Sequence, residues 1–141
     1  MSNPIEEAAY FLAEECKKEG MVVHMYKSST SNSIYLKFDW GVAHSLRISD
    51  HKGIEKYHYK FNLIADLPRK YTVSYRNEHH SSYYPLSEKL ACLHDIIQNR
   101  NNLLQEKGIE EYQGEMERIQ QKIETLPKEK LYPFWKYGKR I

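Results

Sequence analysis

The chain has 141 residues, of which 28% are charged, with a formal net charge of +2 and a mean hydropathy of −0.77. That length suits one domain with its own core. A balance so close to neutral does not by itself mark a nucleic-acid binder, and no apolar run nears the roughly 20 residues of a bilayer-spanning helix.

The first element is well signalled. Asn3 can cap, Pro4 suits the first helical position, and Glu6 follows three residues after the cap. Ile5, Ala8, Ala9, Leu12 and Cys16 share one face and Gly20 offers a stop, which predicts a helix over residues 4–19. A sheet is expected over residues 21–76. Its first strand is 21–27, followed by a turn at "SSTSN". The second, 33–38, alternates Ile34, Leu36 and Phe38 against Ser33, Tyr35 and Lys37. Asp39, Trp40 and Gly41 turn the chain into a third strand at about 42–49. After a loop at His51–Glu55, a fourth strand sets Tyr57, Tyr59, Phe61 and Leu63 against His58, Lys60 and Asn62; the fifth is 70–76. Short loops between consecutive strands predict four or five strands in an antiparallel meander.

Beyond residue 85 the period changes from two to 3.6. Leu86, Leu90, Leu93, Ile97 and Leu104 mark one helix, interrupted where Arg100 occupies an apolar slot. After Gly108, the residues Ile109, Tyr112, Met116, Ile119, Ile123 and Leu126 step by three and four, a heptad seam. The expectation is a helical hairpin over 86–126, its seams buried within the chain or against a second copy in a homodimer. Pro127 ends it, and a basic aromatic tail, 127–141, completes a single α+β domain.

Charge follows this division: residues 1–23 and 77–126 are acidic, 24–76 and 127–141 basic. Cys16 and Cys92 fall on apolar helical positions and read as buried free thiols of a reducing cytosol. The polar strand positions concentrate in "SLRISDHKGIEKYHYKF", residues 45–61. Ser49, Asp50 and His51 are consecutive, so they point apart along a strand and make no triad. The histidines lack metal-ligand spacing, the carboxylates of the basic region are scattered, and the glycines are isolated. These patterns support neither an enzyme nor a cofactor or metal site. Arg47, Ser49, His51, Lys56, Tyr57, His58 and Lys60, with Tyr35, are the candidate binding residues. Cations contact phosphates and aromatic faces stack on bases, but the outer face of a half-solvated sheet has the same composition.

Two patterns carry a resemblance. Ser28, Ser29, Ser33 and Tyr35 in "SSTSNSIY" precede Arg47, Ser49, His51, Lys56, Tyr57 and His58 in "RISDHKGIEKYH". In order and spacing, over roughly residues 8–64, the chain resembles a phage-encoded type II-A anti-CRISPR family, inhibitors of Cas9 nucleases. That resemblance implies a non-enzymatic inhibitor in the cytoplasm of a bacterial host. Its partner would be Cas9 or a Cas9–guide RNA complex, with RNA as a direct contact. The family's Arg-rich N-terminal arm has no match, since a capped acidic helix opens the chain, and the 86–126 hairpin has no clear counterpart. Glu110, Glu111, Glu115 and Glu117 read either as a mimic of DNA phosphates or as a solvated helix face. Two other functions fit the residues: a sponge for a nucleotide immune signal and a dimeric DNA-binding regulator. No membrane association is expected.

Overall fold

The computed structural model describes residues 3–50, 60–65, 75–76 and 82–141. Helix α1 spans Pro4–Lys18, and the Asn3 side chain accepts a hydrogen bond from the Ile5 amide at 2.8 Å. This is the cap expected of an asparagine in extended conformation ahead of an N-terminal proline. Strands β1 (Val23–Lys27), β2 (Ile34–Phe38) and β3 (Ser45–Ser49) follow, then β4 (Phe61–Ile64), β5 (Tyr75–Arg76) and β6 (Ser82–Pro85). Helices α2 (Lys89–Lys107) and α3 (Ile109–Thr125) come next. The tail forms a short helix, α4 (Pro133–Tyr137), and a last strand, β7 (Lys139–Arg140).

The α+β class holds, with the N-terminal helix on a sheet and helices at the C-terminal side. The described strands form one seven-stranded sheet in the order β5-β6-β4-β3-β2-β1-β7. It is mixed where an antiparallel meander was expected. β1, β2 and β3 pair antiparallel, but β3–β4 and β4–β6 are parallel. Parallel neighbours need the chain to return to the starting end of the sheet, and the connections after β3 and β4 are long enough for that. The strands expected to continue through Tyr57–Tyr59 and 70–74, and the loop at His51–Glu55, lie outside the described residues. β6 and β7 were not expected: "SYYP" contains proline, and a two-residue strand leaves no alternation to read.

One face of the sheet is the core. Register places Val23 opposite Phe38, Met25 opposite Leu36, and Ile34 opposite Ile48. Leu36 then faces Leu46, Leu46 faces Phe61, Ile48 faces Leu63, and Leu63 faces Tyr84. Ile5, Ala8, Ala9, Leu12, Ala13 and Cys16 of α1 bury against this apolar surface. Each fully buried Leu or Ile contributes roughly 1.5–3 kcal/mol. Both cysteines are free and buried, as expected. Burial pushes the Cys16 thiol up to about 12, with Asp39 and Glu15 adding to it, and raises Cys92 as well, so neither is a ready thiolate.

Helix α2 buries a different stripe from the one its leucines suggest. Cys92 and Ile96 are fully buried, Leu93 and Ile97 flank them half-buried, and Leu90 is exposed. The helix packs on α1 and on strands β4 and β6, and Cys92 and Ile96 are its fully buried residues there. Gly108, at φ 82°, turns α2 into α3 as expected of a residue without a Cβ. Of the α3 seam only Tyr112 is buried. Met116, Ile119 and Ile123 are half-buried, while Ile109 and Leu126 are exposed.

A buried carboxylate ties these parts together. Asp39 Oδ1 accepts from the Val22 amide at 2.9 Å, while Oδ2 accepts from Arg100 Nε at 3.2 Å and from the Tyr112 hydroxyl. Arg100 Nη1 also donates to the Glu19 carbonyl at 2.9 Å, at the end of α1. The arginine that interrupts the α2 apolar pattern is therefore the partner of a buried acid. Removing one member of such a set strands the others without partners, which costs roughly 3–5 kcal/mol. Asp39→Ala is expected to lose about that much in urea unfolding, and Tyr112→Phe about 1–2 kcal/mol. An Asp39→Ala protein as stable as the parent would show that the node holds nothing together.

Candidate functional site

The second face of the sheet carries the polar and aromatic residues, because side chains alternate along each strand. Register lines up Tyr26, Tyr35, Arg47, Asn62 and Tyr83 in one row across five strands. A second row runs from His24 through Lys37 to Ser45. Two of the motif strands thus meet: Tyr35 lies directly opposite Arg47.

Motif residues are packed on one another here. The Arg47 guanidinium lies 5.9 Å from the centre of the Tyr35 ring, and its Nη2 donates to Ser33 Oγ at 3.4 Å. Arg47 is 2% exposed, Ser33 is 2% exposed and Ser49 is fully buried. Asp50, the next residue, is exposed, so Ser49 and Asp50 point apart as strand geometry requires. Ser28 Oγ is bonded by the Thr30 amide and lies 3.1 Å from Ser31 Oγ, which donates to it, closing the serine turn between β1 and β2. Lys60 is half-buried, near enough to His44 to help burial lower that imidazole's pKa. His51, Lys56, Tyr57 and His58 lie outside the described residues.

The tail completes the surface. β7 pairs with β1, His24 opposite Arg140 and Met25 opposite Lys139, and the Ile141 amide donates to the Val23 carbonyl at 3.0 Å. This seats α4 over β1 and β2. Trp135 stacks on Trp40 with centroids 5.8 Å apart and planes 22° from parallel, and His24 packs against both, 4.4 Å from Trp40 and 5.1 Å from Trp135. Tyr26 stacks on Tyr35 at 5.8 Å and meets Phe134 edge-on at 6.2 Å. Between α4 and the sheet lies a groove of about 470 Å³. Tyr26, Tyr35, Tyr132, Phe134 and Trp135 give it aromatic walls, Lys37 is its cation, and Ser28 and Ser45 supply hydroxyls.

Lys37 is the electrostatic centre of that groove. Its Nζ donates to Ser45 Oγ at 3.0 Å and sits 5.2 Å from the Phe134 ring centre and 6.0 Å from that of Trp135. No carboxylate pairs with it among the described residues. Burial alone lowers its pKa, because taking an ammonium from water disfavours the charged form. The ring faces offset part of that cost through their quadrupoles. Of the residues singled out in the sequence, Tyr35 reaches the groove, whereas Arg47 packs beside Tyr35 on the neighbouring strand and does not line it. In the sequence Lys37 is one of the alternating cations of the basic strands, and the tail aromatics stand among basic residues, whereas Ser45 carries no signal of its own. The dense aromatic run "LYPFWKY" was a visible signal, but its docking place was not.

No group of three His, Cys, Asp or Glu side chains is placed to hold a metal ion among the described residues. Nor is any described helix long and apolar enough to cross a membrane. What the geometry offers is a concave surface with one lining cation among the described residues and aromatic walls, which is suited to holding a ligand.

Two outcomes test this surface. A Cβ at Gly138 would lie 2.3 Å from the Phe134 carbonyl oxygen and 3.1 Å from that of Met25. Gly138→Ala is therefore expected to loosen the tail and raise acrylamide quenching of Trp40 and Trp135; unchanged quenching would mean that the tail accommodates a methyl group. His24 supplies the second. Burial, with Arg140 as a lesser cause, lowers its pKa from 6.5 to about 4. The unfolded chain then binds a proton below pH 6.5 that the folded chain resists, so stability is full above pH 6.5 and falls as pH drops toward 4. Thermal unfolding across that range is expected to show a shallower fall in His24→Phe than in the parent. Comparison with protein-family models, with curated proteins and with solved structures gives no match.

Proposed function

We propose that this protein is a non-catalytic inhibitor that binds a Cas9–guide RNA complex through the outer face of its sheet. The observation that carries the reading is Lys37, an ammonium without a carboxylate partner among the described residues, set in an aromatic groove beside the motif residue Tyr35. Unpaired nucleotides of an RNA are bound through their phosphates by cations and through their bases by aromatic faces. Cas9 assemblies present such RNA together with charged protein channels. The packing of Ser33, Tyr35 and Arg47 into one cluster supports the resemblance to the anti-CRISPR inhibitors, because two short motifs distant in sequence build one surface.

A second reading, a sponge for a small nucleotide signal, draws support from the groove's volume, which falls in the size range of small-ligand sites.

A cleavage assay with purified Cas9 enzymes, adding the protein before or after guide loading, tests the first reading. The parent is expected to block cleavage, more strongly in one order of addition than in the other. Lys37→Glu is expected to weaken inhibition by about tenfold or more, the loss of roughly 1.4 kcal/mol, with an unchanged melting temperature. Undiminished cleavage in both orders at molar excess of the parent would overturn it.

A further inference from the structure

The groove has chemistry of its own. The Lys37 ammonium is held by one hydroxyl and two ring faces, all neutral groups, at 3.0 Å from Ser45 Oγ, 5.2 Å from the Phe134 centroid and 6.0 Å from the Trp135 centroid. A cation drawn out of water and left without a counter-ion among the described residues is an incomplete arrangement. An anion beside it restores the missing partner, and it does so where low local polarity strengthens the attraction. The lowered pKa of this lysine has the same physical origin.

The walls narrow the choice of anion. Tyr26 and Tyr35 lie nearly parallel, 28° apart, and Tyr132 stands at the rim with 79% of its surface exposed. Tyr26 and Tyr35 are half-buried and stacked on each other as a wall, and the exposed Tyr132 offers a face on which a planar ring stacks without demanding a particular hydrogen-bond pattern. Ser28 and Ser45 add hydroxyls that can bond phosphate or sugar oxygens. A volume of about 470 Å³ admits a ring with a phosphate attached but not a folded polymer.

We infer that this groove binds one nucleotide unit, its phosphate on Lys37 and Ser45 and its base against the exposed Tyr132 at the rim. The inference rests on reading the groove as a recognition site, and it names what the site takes. The unit can belong to single-stranded RNA or be a free nucleotide, since both present the same base and phosphate. Either way, the protein binds it without Cas9.

The chain's two tryptophans, Trp40 and Trp135, are stacked beside the groove, so their emission reports its occupancy. Titration of the full chain with adenosine and uridine 5′-monophosphates, a cyclic dinucleotide and short single-stranded oligo(A) and oligo(U) RNA is expected to give a saturable change. The change should need more ligand as salt rises. Lys37→Gln is expected to weaken binding about tenfold or more, as is Tyr35→Ala. Tyr132→Ala, at an exposed position that folding does not need, is expected to weaken it measurably, and Lys122→Gln on α3 is expected to bind like the parent.

Saturation by RNA alone assigns the unit to a polymer, and saturation by the small nucleotides assigns it to a free ligand. Absence of saturable change with every probe overturns the inference, as does parent-like binding by both Lys37→Gln and Tyr132→Ala. A protein that blocks Cas9 yet binds no nucleotide would refute the groove's assignment and leave the inhibitor standing. One that binds nucleotide yet leaves Cas9 untouched would do the reverse.

Discussion

Asp39 is the point on which the described structure turns. It is 1% exposed and has a positive φ of 51°, a conformation that asparagine and aspartate tolerate better than most residues. Trp40 follows at 61°, Gly41 at 94° and His44 at 72°, so the link from β2 to β3 is backbone held away from its preferred wells. A bulky side chain such as tryptophan bears that conformation only when its surroundings over-determine it. They do so here through one carboxylate, which receives the Val22 amide, the Arg100 guanidinium and the Tyr112 hydroxyl. Sheet, α1, α2 and α3 are thereby joined at a single buried charge. The strained link also aims Trp40 at the opposite side of the sheet, where it meets His24 and Trp135.

That connection makes the core and the groove interdependent. On one face, apolar cross-strand rows bury against α1. On the other, α4 is held by β7, by the close approach of Gly138 to Met25, and by the Trp40–Trp135 stack. The tail converts an open sheet surface into a concave one and partly desolvates Lys37 against its rings. At one end of the sheet order β7 is a two-residue strand, and an edge that short limits pairing with other chains.

The polar residues singled out in the sequence divide into frame and surface. Arg47, Ser33 and Ser49 are buried, and Arg47 supports the Tyr35 ring from the neighbouring strand. Tyr35 and its neighbour Lys37 face the groove. Arginine suits the supporting role because its planar guanidinium stacks on a ring while donating to a hydroxyl. The groove-facing side chains lie on alternate strand positions beside the buried ones.

Local signals determined much of this protein from sequence alone. The cap at Asn3, the proline at Pro4, the spacing of Ile5 to Cys16 and the glycine at 108 act within a few residues, where side-chain chemistry decides backbone conformation directly. The alternation of Ile34, Leu36 and Phe38 likewise gave strand and face together. The parallel pairing of β3 with β4, and the places of β6 and β7, depend instead on which distant segment covers which edge, and no short window encodes that. The apparent flaw at Arg100 and the buried face of α2 became intelligible only through Asp39, 61 residues away. The site followed the same division. Tyr35 was legible as an outward strand residue. Tertiary structure alone buried Arg47, left Lys37 without a carboxylate among the described residues, and laid the aromatic tail over it, because burial and charge pairing are properties of neighbours in space.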